Sequence, residues 1–244
     1  MNIAYAEPIL LTYRDDGNKT IFDGKWTFTQ EWKRTSYNAA YHDSLIIRTG
    51  HDYHNLYVLI DFLSQHQFSK LSDYGIVCID SKYDKGDPQK DDYCFMIPLG
   101  SSNPITLQGG DILGLTNHFI KIKNDPNLVA IGGISDQNDR YSDIPHSSYE
   151  FKIPIEIFGS SDKYGFFAGA YVAKENKMYT WPEEISDKNS FSIPSPVKWG
   201  EMISPDESLP EFSLPNVVLL ISIIGLIYIS RKNPSSKKIL SKNG

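Results

Sequence analysis

The residues whose chemistry can be stated first are aromatic. Sugar rings present C–H faces that stack on flat aromatic side chains, while their hydroxyls bond to nearby Asp, Asn and Gln. Trp181 and Tyr179, in Tyr179-Thr180-Trp181-Pro182, are candidates for such a platform, as are Tyr53 and Trp26, with Tyr171 in support. The position of Trp181 before a proline and among polar residues suits exposure at a strand end, with burial as the alternative. Trp32 is expected to plug the core, and Trp199 to sit in the core or at its base. The loop from Asp80 to Asp92 brings Asp80, Asp84, Asp87, Asp91 and Asp92 together, five carboxylates in 13 residues. Oxygen-rich loops of this kind suit Ca²⁺, a hard ion with loose geometry. Three lysines share the loop and its spacing is not that of an EF-hand, so a solvated hairpin tip is the competing reading.

Cys78 and Cys94 are symmetric about Gly86, and a hairpin turning there sets them opposite each other. A disulfide and two buried thiols are both open. His51 and His54 flank Tyr53 but lack a third ligand at useful spacing, so a polar turn is expected there. Asn18-Lys19-Thr20 is the single glycosylation sequon. No nucleophile elbow, zincin helix, P-loop or dinucleotide fingerprint is present. Glu31, Glu150, Glu156 and Glu175 could supply a carboxylate pair for glycoside hydrolysis, but no motif supports one. No enzymatic activity is expected.

These side chains need elements to hold them. Short segments rich in β-branched and aromatic residues recur at 44–48, 56–62, 75–79, 93–97, 119–122, 128–131, 149–155 and 165–172, with turn residues between them. The best short helix candidate is Trp26–Arg34. With 15 Tyr, 12 Phe, 17 Gly and 14 Pro in 244 residues, the composition leans the same way. The expected fold class is all-β, an antiparallel, jelly-roll-like sandwich over residues 9–203.

The C-terminal part is different. Residues 212–230 carry no charge over 19 positions, long enough as a helix to span a bilayer. Arg231, Lys232, Lys237, Lys238 and Lys242 follow, whereas Glu201, Asp206, Glu207 and Glu211 precede. The positive-inside rule predicts one transmembrane helix, a cytoplasmic tail at 231–244 and an external domain reached through a proline-bearing stalk at 204–211. The net charge is −6, so removing the tail's +5 leaves −11 on residues 1–230. An acidic domain of this kind excludes nucleic acid as a partner. Residues 1–8 include Ala4-Tyr5-Ala6, the small-x-small form of a signal-peptidase site, and either a signal-peptide remnant or an ordinary chain end fits them.

The order of motifs resembles a known family. Phe22-Asp23-Gly24 with Glu31-Trp32, then His51-Asp52 with Asn55-Leu56-Tyr57-Val58, then the acidic hairpin, then Tyr149-Glu150-Phe151-Lys152-Ile153-Pro154 and Tyr179–Pro182 resemble family-9-like carbohydrate-binding modules and the related DOMON-like sandwiches. The resemblance covers Phe22 to Ile203. It implies a β-sandwich that binds glycans without catalysis, often with structural Ca²⁺. Pro210-Glu211-Phe212 before the apolar segment resembles the PEF-type C-terminal sorting signals of archaeal surface proteins. Together these give a cell-surface, membrane-anchored module whose partner is a glycan or cell-envelope polysaccharide. The alternative is an envelope interaction module with protein partners and no sugar site. A third reading, from the DOMON side, is haem held by Met96 or Met178 with His118 or His146.

Overall fold

The computed structural model describes residues 6–15, 19–110, 118–183, 185 and 191–205. The chain divides into two units, Met1–Ser208 and Leu209–Gly244, and every described residue lies in the first. The apolar segment 212–230, the basic tail, the stalk beyond residue 205 and Asn18 of the sequon lie outside the described residues.

The described part is all-β, with fourteen strands in two sheets. They are β1 (Ile9–Leu10), β2 (Thr12–Tyr13), β3 (Ser36–Ala40), β4 (Leu45–His51), β5 (Asn55–Phe62), β6 (Tyr74–Asp80), β7 (Asp92–Pro98) and β8 (Ile105–Gly109), then β9 (Phe119–Ile122), β10 (Val129–Ile134), β11 (Ser147–Pro154), β12 (Lys163–Val172), β13 (Lys177–Trp181) and β14 (Gly200–Ile203). The first sheet runs β1-β14-β12-β6-β7-β8-β9, with β13 sharing the outer edge of β12. The second runs β10-β11-β5-β4-β2, with β3 also on β4. All eight segments expected as strands are strands.

The inner faces pack together as a sandwich. Leu45, Ile47, Leu56, Val58, Ile60 and Phe151 of one sheet meet Val77, Ile79, Phe95, Ile97, Phe166 and Ala168 of the other in one core. Both outer faces are covered as well. Ile76, Met96, Phe167, Met178 and Trp199 form a cluster outside the first sheet, and Trp26, Trp32, Tyr57 and Leu59 one outside the second. Strands covered on both faces need no polar side, which is why β5 reads as a near-continuous apolar run and why β4, with Arg48, Thr49 and His51 in its second half, is buried throughout as well.

Three expectations are corrected. The sheets are mixed, because β1 pairs in parallel with β14 and β2 in parallel with β4. One extended N-terminal stretch crosses from sheet to sheet at the buried Leu11, whose amide donates to the Ile203 carbonyl at 2.8 Å. Trp26–Arg34 is a chain of turns, with amide-to-carbonyl bonds spanning three residues, such as Glu31 to Phe28 at 3.0 Å. The cause lies in the side chains around it. The Glu31 carboxylate accepts from the Ile21 and Thr27 amides, both at 2.7 Å, and so holds the segment in a loop that lays Trp26 and Trp32 on the sheet. Gly24, at φ +84°, lies against Gly133, where a Cβ would stand 2.6 Å from its Cα. The third correction concerns Trp181, which is buried at 6% exposure against Phe166, with Gly200 beneath its ring.

Candidate functional site

Asp52 organises the β4–β5 turn. Its Oδ1 accepts from the His54 and Asn55 amides at 3.1 and 2.7 Å, and its Oδ2 from the Tyr57 hydroxyl at 2.7 Å. Burial pushes its carboxyl up, but the Tyr57 hydroxyl and these amides outweigh burial and hold it below the ordinary value. The turn leaves Tyr53 at φ +66° with 48% of its surface exposed. Tyr13, 45% exposed, lies beside it with ring centroids 4.8 Å apart, and the buried His51 ring stands edge-on beneath at 5.2 Å from Tyr53. Tyr53 borders an open cleft of about 460 Å³ whose other walls include Asn55, Asn127, Lys152, Glu156 and Ser160. An aromatic ring beside amide, hydroxyl and charged groups is the combination that sugar recognition uses, and the volume suits a small ligand.

The four aromatic candidates are not brought together. Tyr53 is at the cleft. Tyr179 is half-buried on β13, tilted against Phe62 with centroids 4.6 Å apart, bonded to Glu175 at 2.6 Å and covered by the Lys177 ammonium. Trp26 is buried outside the other sheet, with Arg48 and Arg140 over its ring and its indole bonded to the Phe28 carbonyl at 2.6 Å. Trp181 is in the core, and Trp32 and Trp199 are buried as expected. Tyr13, Asn127 and Ser160 carry no sequence signal; the pairing of β2 with β4 sets Tyr13 beside Tyr53, and the turns before β10 and after β11 bring Asn127 and Ser160 to the cleft.

The acidic hairpin gathers three of its five carboxylates. Asp80, Asp91 and Asp92 offer ligand atoms within 4.8 Å of one another. One oxygen of each (Asp80 Oδ1, Asp91 Oδ2, Asp92 Oδ1) is buried without a hydrogen-bond partner. The Lys82 ammonium stands 3.5 Å from the other oxygen of Asp91. Burial and the neighbouring carboxylates push Asp92 up to about 7, and burial raises Asp80 as well. Asp84 and Asp87 are exposed and outside this group, with Asp84 accepting from the Gly86 amide and from the Gln89 side chain at 3.1 and 3.0 Å. Beneath the hairpin, Cys78 and Cys94 are cross-strand partners joined as a disulfide. A further buried acid, Asp61, is pushed up to about 8 by burial and by Asp139. The methionine–histidine pairing imagined for haem does not form with His146, because Met96 and Met178 lie outside the first sheet and His146 faces Asp61 of the second.

No protein-family model matches the chain, and no curated protein matches it. The solved structures similar to it include two family 9 carbohydrate-binding modules from Caldicellulosiruptor kristjanssonii. The one in complex with glucose aligns over 84% of this chain and 100% of its own, at 13% identity and a TM-score of 0.47. The one in complex with cellotriose aligns over 84% and 98%, at 14% identity and a TM-score of 0.40.

Proposed function

We propose that this chain is a non-catalytic glycan-binding module displayed at a cell surface, and that the cleft beside Tyr53 receives the sugar. The observation that carries the reading is the exposed Tyr53 ring at the mouth of a polar cleft, steadied by Tyr13 and His51. The ordered motifs from Phe22 to Pro182 support the sandwich on which the cleft is built. In this reading the Tyr53 face stacks on a sugar C–H face, and Asn55, Asn127 and Glu156 bond its hydroxyls. Segment 212–230 anchors the domain in the membrane with the basic tail inside. Asp80, Asp91 and Asp92 hold one Ca²⁺ through oxygens that otherwise lack partners, and the ion would fix the hairpin.

A glycan-array screen of the purified chain, with and without Ca²⁺, tests the reading. Reproducible binding that Tyr53→Ala removes from a folded protein is the expected result. Binding that survives this substitution would move the sugar elsewhere on the surface. Silence of the folded protein across the array would favour an envelope interaction module.

A further inference from the structure

Beneath the loop between β10 and β11, three side chains unused by the glycan reading turn their ligand atoms toward one point. Asp61 comes from β5, Asp139 from the loop, and His146 from the residue before β11. His146 Nε2 stands 3.9 Å from Asp61 Oδ1 and 3.8 Å from Asp139 Oδ1, and these side chains are 0%, 0% and 1% exposed for His146, Asp61 and Asp139. Both distances are too long for hydrogen bonds. Both oxygens of Asp61, Oδ2 of Asp139 and Nε2 of His146 are buried without a hydrogen-bond partner.

The other side of the imidazole is fully engaged. Nδ1 lies 2.9 Å from Ser135 Oγ and 3.0 Å from the Ile144 carbonyl oxygen. A carbonyl can only accept, so Nδ1 carries the proton and Nε2 presents a lone pair to the two carboxylates. Ser135 is held in turn by the His146 amide, at 2.9 Å, and Asp139 Oδ1 by the Tyr141 amide, at 2.8 Å. Three groups that can donate an electron pair to a cation therefore converge in a buried chamber. Such a group is costly unless a cation fills it. The Arg48 guanidinium acts on Asp61 through space, but it is turned to the Thr35 hydroxyl at 3.2 Å and to the Trp26 and Tyr37 rings.

We propose that Asp61, Asp139 and His146 bind one divalent transition-metal ion of the Zn²⁺ class, which fastens the β10–β11 loop to β5. Two carboxylates and a neutral imidazole match the charge of such an ion. The orientation of the imidazole through its far nitrogen is the arrangement that metal-bound histidines adopt. A tetrahedral ion with bonds of about 2.1 Å wants donors roughly 3.4 Å apart, against 3.8 and 3.9 Å from His146 to the two carboxylates and at most 4.8 Å between any two donors, so binding would draw the three inward. The imidazole selects against Ca²⁺, which prefers oxygen alone, and this separates the site from the acidic hairpin. The fastened loop also carries Arg140 and Tyr141, which pack on Trp26, so the ion would steady the cover over the outer face of the second sheet. The inference is independent of any sugar.

The test uses the full chain, purified in mild detergent, stripped with EDTA and titrated with ZnCl₂ alone by calorimetry and thermal unfolding. Co²⁺ serves as a spectroscopic probe of coordination. The expected results are one equivalent of Zn²⁺ bound, a raised Tm, and the strong visible bands of four-coordinate Co²⁺. Asp139→Asn removes a like charge from a loop position, so the metal-free variant should fold with undiminished stability, yet bind Zn²⁺ at least about 100-fold more weakly, beyond the loss typical of outer-shell partners. His146→Gln should abolish the Co²⁺ bands. Failure of the stripped wild-type chain to bind Zn²⁺, full affinity in folded Asp139→Asn, or tighter binding of Ca²⁺ than Zn²⁺ at this site would each overturn the proposal.

Discussion

Glu150 accepts three hydrogen bonds, from the Asp23 and Gly24 amides on one oxygen (2.9 and 2.7 Å) and from the Trp32 indole on the other (3.0 Å). This single carboxylate joins two of the motif segments, Asp23-Gly24 and Glu31-Trp32, to a third at Tyr149–Pro154. Their spacing in sequence thus records a structural staple and not a binding site. Burial holds Glu150 well above the ordinary value, while the Gly24 amide and the indole pull it down. Glu150→Gln tests the staple, because an amide has one acceptor oxygen and its NH₂ must face either the two backbone amides or the indole N–H. The expected loss is about 1–3 kcal/mol, read as a lower urea midpoint with unchanged slope. Tyr53→Ala should behave oppositely. The ring is half exposed, so unfolding should shift little, whereas glycan affinity should fall roughly tenfold or more, about 1.4 kcal/mol. A loss of stability equal to that of Glu150→Gln would make Tyr53 a packing residue.

The β6–β7 hairpin is the element that concentrates charge and covalent constraint. Its disulfide closes a loop across a sequence separation of 16 in the middle of the first sheet, with both sulfurs fully buried. Removing it with the paired change Cys78→Ala and Cys94→Ala should cost about 3 kcal/mol, from the entropy of a loop of that length. A double variant as stable as the parent would show that the sheet alone sets the hairpin. At the tip, Asp92 is raised from 3.8 to about 7. Between those values the folded chain holds more protons than the unfolded one, so its stability is greatest below the window and falls as pH rises through it. Denaturation of chelated protein should therefore show lower stability at about pH 8 than at about pH 5. Ca²⁺ should restore the loss at the higher pH and do little at the lower. Equal stability at both values without metal would mean that the carboxylates relax apart.

At the scale of the whole molecule, what the sequence made legible followed from periodicity. Strands such as β5 and β12 are long runs of apolar residues covered on both faces, so they announce themselves. The short strands β1, β2, β3 and β8 lack such runs and exist because neighbouring edges accept them. The aromatic candidates divide in the same way. Trp181 could be placed at a strand end from its neighbours, but its burial depends on Gly200, nineteen positions away, which leaves room for the ring. Asp61, Asp139 and His146 were invisible as a group because only the pairing of β5 with β11, and the loop after β10, brings them together.

The N-terminal stretch shows what this dependence on distant partners does to the molecule. Ile9 pairs with Met202 of one sheet and Tyr13 with His51 of the other, and Leu11 between them is 3% exposed. A stretch of nine residues, 6–14, therefore closes one edge of each sheet and also sets Tyr13 against Tyr53. Deleting it uncovers two β edges at once, and bare edges pair with other chains. The truncated protein is expected to self-associate in size-exclusion chromatography and to bind glycan more weakly, because the Tyr53 ring loses its neighbour. Leu11→Ala separates the two effects. It should lower stability by about 2–4 kcal/mol through the cavity it leaves between the sheets, while the Tyr13–Tyr53 platform and glycan affinity stay intact. If Leu11→Ala weakened sugar binding as much as the deletion does, the contribution of the stretch would lie in its packing and not in Tyr13.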